Sequence, residues 1–163
     1  MVSRTEELLP RLAELMVARG LMLATAESCT GGLIAGACTD LSGSSAWFER
    51  GLVCYSNDAK IELLGVDLAL IVAHGAVSEP VAGAMAAGAV ARSHAQVSVA
   101  VTGVAGPTGG TEAKPVGTVW FGWSVDGIVR TERRLFDGGR AAIRAATVQH
   151  AIETLVALLQ SPR

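Results

Sequence analysis

The chain has 163 residues, half of them hydrophobic and 17% charged, with a formal net charge of −2. That balance fits one domain, 1–163, with a real core, and excludes a disordered chain. It also argues against a nucleic-acid partner, which needs a strongly basic face.

The N-terminal helix is signalled by a capping box, Ser3 with Glu6, followed by Leu8, Leu12, Leu15 and Met16 at helical spacing and closed by Gly20. A strand, Leu21-Met22-Leu23-Ala24, then runs into Ala26-Glu27-Ser28-Cys29-Thr30-Gly31-Gly32. A helix over 30–40 stops before the loop Ser42-Gly43-Ser44-Ser45. A second strand is expected at Leu52-Val53-Cys54-Tyr55, with Ser56-Asn57 starting a short helix that carries Lys60. Ser78-Glu79-Pro80 opens a further helix to about His94, with a cap, an acid and a first-turn proline. Val97-Ser98-Val99-Ala100-Val101 is a strand that enters a glycine-rich loop, 102–110. Two strands flank Asp126-Gly127, a hairpin signal. A last helix spans about 140–159. The order α-β-α-β-α-α-β-β-β-α predicts a three-layer α/β/α sandwich with a mixed, mostly parallel sheet of about five strands.

Sites in open α/β sheets collect at the carboxyl ends of parallel strands. Ser28, the segment from Tyr55 to Lys60, and the loop from Thr102 to Gly110 each follow such a strand. Ser28 at a strand-to-helix turn suits a helix cap, a bound phosphate or a developing oxyanion, and its neighbours Thr30, Gly31 and Gly32 supply candidate amide donors. Cys29 competes as nucleophile, although a cysteine there is as readily a small buried hydrophobe. A serine needs a base. His74, His94 and His150 are not placed at the strand ends, and surface or structural roles suit them. Lys60 and Lys114 are the only lysines among thirteen basic residues, and both fall near the expected site. Lysine serves as a base when burial or a nearby cation lowers its pKa, so Ser28 and Lys60 form a reasonable dyad. Tyr55, the only tyrosine, suits the core or a flat ring. Thr102 suits a turn or a substrate hydrogen bond. The glycines of 103–110 do not spell a Walker loop. Arg140 and Arg144, one helical turn apart, suit a phosphate clamp or a solvated helix start.

Several ordered motifs resemble the CinA carboxyl-terminal domain family over nearly the whole chain. They are the segment 26–32, Gly43-Ser44-Ser45, Tyr55-Ser56-Asn57-Asp58-Ala59-Lys60, Gly75-Ala76-Val77-Ser78, Thr102-Gly103-Val104-Ala105-Gly106-Pro107 and Lys114-Pro115-Val116-Gly117-Thr118-Val119. The resemblance implies hydrolysis of nicotinamide mononucleotide to nicotinate mononucleotide and ammonia. It implies catalytic positions at Ser28 and Lys60, with Tyr55, Thr102 and Arg140 as further site positions. Substrate contacts are expected from Thr30, Gly31, Gly32, Asn57, Gly103, Gly106, Gly110, Lys114, Arg140 and Arg144. One departure is Gly138-Gly139-Arg140, where the family usually has Gly-Asp-Arg.

Three cysteines, Cys29, Cys38 and Cys54, without CxxC spacing point away from disulfides and from a cysteine zinc site. No metal and no cofactor is expected. Acids at Glu6 and Glu7 replace the basic start of a signal peptide, and no uninterrupted apolar stretch reads as a membrane span. The expectation is a cytoplasmic protein acting on a small molecule, with no nucleic-acid or membrane partner. A homo-oligomer is expected, with Trp47, Phe48, Trp120 and Trp123 either at an interface or in the core. Two other readings stay open: a nucleotide-phosphate binding module that does no chemistry, and a serine amidase for another small amide.

Overall fold

The computed structural model describes residues 1–161, so residues 162 and 163 of the expected domain lie outside the described residues. The elements are α1 (Arg4–Ala18), β1 (Leu23–Glu27), α2 (Leu33–Asp40), a 3-10 turn (Ser44–Ala46), β2 (Phe48–Val53), α3 (Asn57–Leu64), α4 (Leu68–His74), α5 (Glu79–Ala91), β3 (Val97–Gly103), β4 (Thr118–Val125), β5 (Ile128–Leu135) and α6 (Arg140–Gln160). The sheet order is β2-β1-β3-β4-β5. β1 pairs in parallel with β2 and β3, and β4 runs antiparallel to β3 and β5. Four strands therefore point one way, and the mixed, mostly parallel sheet of the sequence reading is what the chain forms.

Three elements differ from expectation. β1 continues through Glu27, so Ser28 is the first residue past the strand. β2 lies at 48–53 rather than 52–55. Its Glu49, Arg50 and Gly51 mask a strand signal, and Cys54 and Tyr55 are the first residues beyond it. The helix α4 is additional to the expected elements. Its apolar run Leu68-Ala69-Leu70-Ile71-Val72 has no clear period, but the Asp67 carboxylate accepts the Ala69 N–H and starts it.

The two faces of the sheet carry different side chains. Leu23, Val97, Val99, Val101, Val119, Phe121, Trp123 and Val125 pack with Leu12, Met16, Ile34, Ile143 and Ile152 under α1, α2 and α6. The opposite face presents Ala24, Ala26 and Ala100 to α5, which is itself rich in alanine and glycine. Small residues on both sides let α5 lie close to the strands. Trp47 and Trp123 are each 1% exposed, which places them in the core rather than at a free surface. α6 has the length and composition to cross a membrane, but in this fold its apolar face, including Ile143, Ile152 and Leu155, is buried in the core.

Close approach fixes two glycines. A Cβ on Gly88 of α5 would lie 2.0 Å from the Leu64 carbonyl oxygen, and one on Gly122 of β4 would lie 2.5 Å from that of Ala82. Gly36 in α2 has open space around it. Gly88→Ala is expected to destabilise the fold by about 1–3 kcal/mol or more, despite the better helix propensity of alanine. Gly36→Ala is expected to stabilise it by roughly 0.5–1 kcal/mol. Urea unfolding of the two variants checks the opposite signs.

Candidate active site

The carboxyl ends of β1, β2 and β3 lie side by side, and the main chain just past them keeps the ladder going. The Ser28 N–H donates to the Val101 carbonyl, and the Cys54 N–H donates to the Glu27 carbonyl. Strand alternation carries Ala24, Ala26 and then Ser28 toward the α3/α5 side, and Glu27 toward α2. On the α3 side, the Ser56 hydroxyl caps the helix by accepting the Ala59 N–H. Lys60 sits in the first turn of α3. Side chains there lean back toward the helix N-terminus, so its amine returns to the strand ends.

Lys60 is 1% exposed. Its Nζ lies 3.1 Å from Ser28 Oγ, 3.1 Å from the Cys54 carbonyl oxygen and 3.0 Å from the Tyr55 carbonyl oxygen. No carboxylate contacts it among the described residues. Burial lowers its pKa, and the weaker influence of the neighbouring thiols Cys54 and Cys29 opposes that shift. Lys60 Nζ thus donates to the Ser28 hydroxyl oxygen and to the two carbonyls, and the Ser28 hydroxyl in turn donates to the Tyr55 carbonyl at 3.5 Å. A Ser–Lys pair in this geometry can pass the Ser28 proton to Lys60.

The cavity over this pair has a volume of about 380 Å³, a size suited to a small ligand. Ser28, Tyr55, Asn57, Lys60, Thr102, Gly103, Gly106 and Arg140 line it. The Thr102 hydroxyl donates to the Ala76 carbonyl at 3.0 Å. Arg140 Nη1 donates to the Gly106 carbonyl at 2.8 Å, and its Nη2 stands 3.5 Å from the Tyr55 hydroxyl. Arg140 thus spans the cavity mouth from the glycine loop to the tyrosine, with Gly139 as a helix cap that supplies no side chain. Among the described residues, no acidic side chain lines the cavity.

Six expected residues are placed elsewhere. Thr30, Gly31 and Gly32 do not line the cavity. The Gly31 N–H donates to the Ser28 carbonyl. The first helical amides of α2 are taken by Glu27: Ile34 and Ala35 donate to its carboxylate at 2.8 and 3.0 Å, and the Thr30 hydroxyl donates to it as well. The helix end that suggested an anion site is therefore filled by the protein's own buried carboxylate. Gly110 serves the loop's packing, since a Cβ there would lie 2.8 Å from the Val116 nitrogen. Lys114 Nζ donates to the His74 carbonyl at 2.7 Å, at the end of α4. Arg144 Nε and Nη2 donate to the carbonyls of Cys29 and Thr30 at 3.1 and 3.2 Å.

Cys29 lines the cavity, but burial pushes its thiol up to about 12, so the thiolate needed for attack does not form near neutral pH. None of His74, His94 and His150 lines the cavity. His150 stacks edge-on against Phe121, Trp123 and Phe136 and bonds Glu132 on the other face of the sheet. Sequence reasoning missed the roles of Glu27, Ala76, Val77 and the Cys54 and Tyr55 carbonyls. The signal for Glu27 is an acid placed just ahead of the helix start Thr30-Gly31-Gly32. The others act through main chain or shape and leave no mark in residue type.

The chain belongs to the CinA C-terminal domain family, whose model matches residues 5–159. It is 47% identical over 156 residues to the nicotinamide-nucleotide amidohydrolase PncC of Escherichia coli K12, covering 94% of this chain and 93% of that protein. It is 53% identical over 148 residues to the protein of the same name from Pseudomonas putida, covering 91% and 92%. The crystal structure of a competence/damage inducible protein, CihA, from Agrobacterium tumefaciens superposes with a TM-score of 0.93 at 50% identity and covers 97% of each chain.

The lowered Lys60 pKa sets a sign for stability. Between that lowered value and the ordinary 10.5, the unfolded chain binds a proton that the folded chain has released, so stability contributed by this site rises with pH. Relative to Lys60→Met, the wild type is expected to gain stability as pH rises through the alkaline range toward the ordinary lysine value, by no more than about 1.4 kcal/mol per pH unit. Urea titrations of both proteins across that range check it, and a flat difference contradicts the lowered pKa.

Proposed function

We propose that this chain is a nicotinamide-nucleotide amidohydrolase, cleaving the carboxamide of nicotinamide mononucleotide to give nicotinate mononucleotide and ammonia. The observation that carries the reading is the 3.1 Å contact between Ser28 Oγ and a buried Lys60 amine that, among the described residues, faces no carboxylate. The names of relatives about half identical over nearly the whole chain supply the substrate.

In the proposed reaction Ser28 Oγ attacks the carboxamide carbon while Lys60 takes the hydroxyl proton. The tetrahedral intermediate collapses as Lys60 returns that proton to the departing nitrogen, and ammonia leaves. Water then attacks the acyl-serine, Lys60 takes its proton, and the carboxylate is released as Ser28 recovers the hydrogen. The oxyanion falls to main chain lining the cavity near Cys29 and Ala105–Gly106, since the amides of Gly31, Ile34 and Ala35 have partners within the protein. Arg140 at the mouth is the phosphate partner, and Tyr55 and Thr102 orient the ring and its amide. Three free, buried thiols fit a reducing compartment, which supports a cytoplasmic enzyme.

Ammonia release from nicotinamide mononucleotide tests this. Ser28→Ala is expected to lower kcat at least about 10³-fold and Lys60→Met at least about 10²-fold, while Cys29→Ala keeps most activity. Wild-type protein that binds the nucleotide without releasing ammonia would instead mark a binding module. Arg140→Met is expected to raise KM for nicotinamide mononucleotide at least about tenfold. The same variant should leave KM for nicotinamide riboside nearly unchanged, and an equal loss on both substrates removes the phosphate role.

A further inference from the structure

Arg144 and the turn it touches supply an inference that rests on the reading of Ser28 as nucleophile. Ser28 Oγ has Lys60 Nζ at 3.1 Å and the Tyr55 carbonyl at 3.5 Å as its partners among the described residues. Lys60 is fixed independently, by the carbonyls of Cys54 and Tyr55. The alignment of the pair is therefore decided by the main chain on either side of Ser28. On the strand side that main chain is locked to β3 through the Ser28 N–H. On the helix side it is a turn containing two residues of positive φ, Gly31 at +58° and Gly32 at +106°, conformations that glycine adopts freely and that need an external hold.

Two buried or half-buried ions provide the hold from opposite sides. Glu27 binds the Thr30 hydroxyl and the first amides of α2. Arg144, from the second turn of α6, places two arms of its guanidinium on the successive carbonyls of Cys29 and Thr30. Thr30 is gripped by both, through its hydroxyl and its carbonyl. A planar fork suits two neighbouring carbonyl oxygens, whereas a single ammonium does not reproduce that geometry. Arg144 does not line the cavity and has spent these donors on backbone, so it is not a phosphate ligand.

We propose that Arg144 is a positioning residue, whose fork on the Cys29 and Thr30 carbonyls sets the turn that aims Ser28 Oγ at Lys60. Arg140 and Arg144 then divide the labour of one helix face: the first turn of α6 meets the substrate and the second turn holds the nucleophile's backbone. Displacement of a reacting group by about 1 Å lowers rates on the order of 10²-fold, so the effect belongs in kcat rather than KM.

The test uses Arg144→Met and Arg144→Lys in the full-length protein with two readouts. One is ammonia release, separated into kcat and KM. The other is the rate at which a small sulfonyl fluoride labels Ser28, followed by mass spectrometry without any nucleotide. Arg144→Met is expected to lose kcat about 10²-fold with KM within about threefold, to label Ser28 at least about tenfold more slowly, and to regain rate with added guanidinium ion. Arg144→Lys keeps charge and bulk, should fold as the wild type does, and should lose kcat about tenfold. Full kcat in Arg144→Lys, or a loss seen in KM alone and only with the phosphorylated substrate, overturns the proposal. If the wild type releases no ammonia but labels at Ser28, the substrate reading fails. The labelling rates of the two variants still decide the role of Arg144.

Discussion

The site depends on one constraint, a lysine amine held out of water with no negative partner among the described residues. An ammonium there would face two carbonyl dipoles and a hydroxyl, which hydrogen-bond it but do not neutralise it, and its lost hydration remains uncompensated. The neutral amine loses far less by burial. The fold therefore disfavours the charged form of Lys60 and sets its amine beside the hydroxyl of Ser28. Burial by itself would give an inert lysine. The contact with Ser28 is what the proposed mechanism draws on.

The sheet makes that placement possible. Three parallel strand ends bring Ser28, Cys54 and Thr102 together, although they are far apart in sequence. The extra main-chain bonds beyond the strands, from Ser28 to Val101 and from Cys54 to Glu27, keep those ends in register to the last residue. Small side chains on the α5 face let the second helical layer approach. α3 packs there too, against α5 at Gly88 through the Leu64 carbonyl. A bulkier face would push α3 outward and lengthen the reach of Lys60. Packing on the far side of the pocket and the distance between Lys60 and Ser28 are thus parts of one arrangement.

Much of this is legible in the sequence. Helix caps at Ser3 and Ser56, the Asp126-Gly127 hairpin and the converging strand ends define the layers and the location of the site. The scarcity of lysine, with no histidine expected at the strand ends, narrows the candidate bases to Lys60 and Lys114, and the position of Lys60 just after a strand end favours it. What is not legible has physical causes. The strand signal for β2 falls too late because an edge strand tolerates charge, so Glu49 and Arg50 hide its first half. Thr30, Gly31 and Gly32 read as an anion site because a helix N-terminus attracts negative charge. The sequence also holds the answer, since Glu27 is a negative charge close ahead of that turn. Which charge fills a helix end is a question of side-chain direction, and strand parity sends Glu27 and Ser28 to opposite faces. Helical spacing groups Arg144 with Arg140. The two do share a face, but a face about 6 Å long already passes from the cavity mouth to the underside of the turn.

The charges around the cavity then follow a single logic. Glu27 spends its negative charge on α2 behind Ser28, and Arg144 spends its positive charge on carbonyls. That leaves Lys60 and Arg140 as the basic side chains lining the cavity among the described residues. Under the proposed function, a phosphate at Arg140 meets a guanidinium that no carboxylate in the lining neutralises among the described residues. In the proposed reaction the nicotinamide ring is itself a cation, bound close to Lys60 with no acidic side chain in the lining to offset it. Like charges at short range favour the neutral form of the one that can lose a proton. Substrate binding therefore reinforces what burial begins, and the base is most available when the amide it serves is in place.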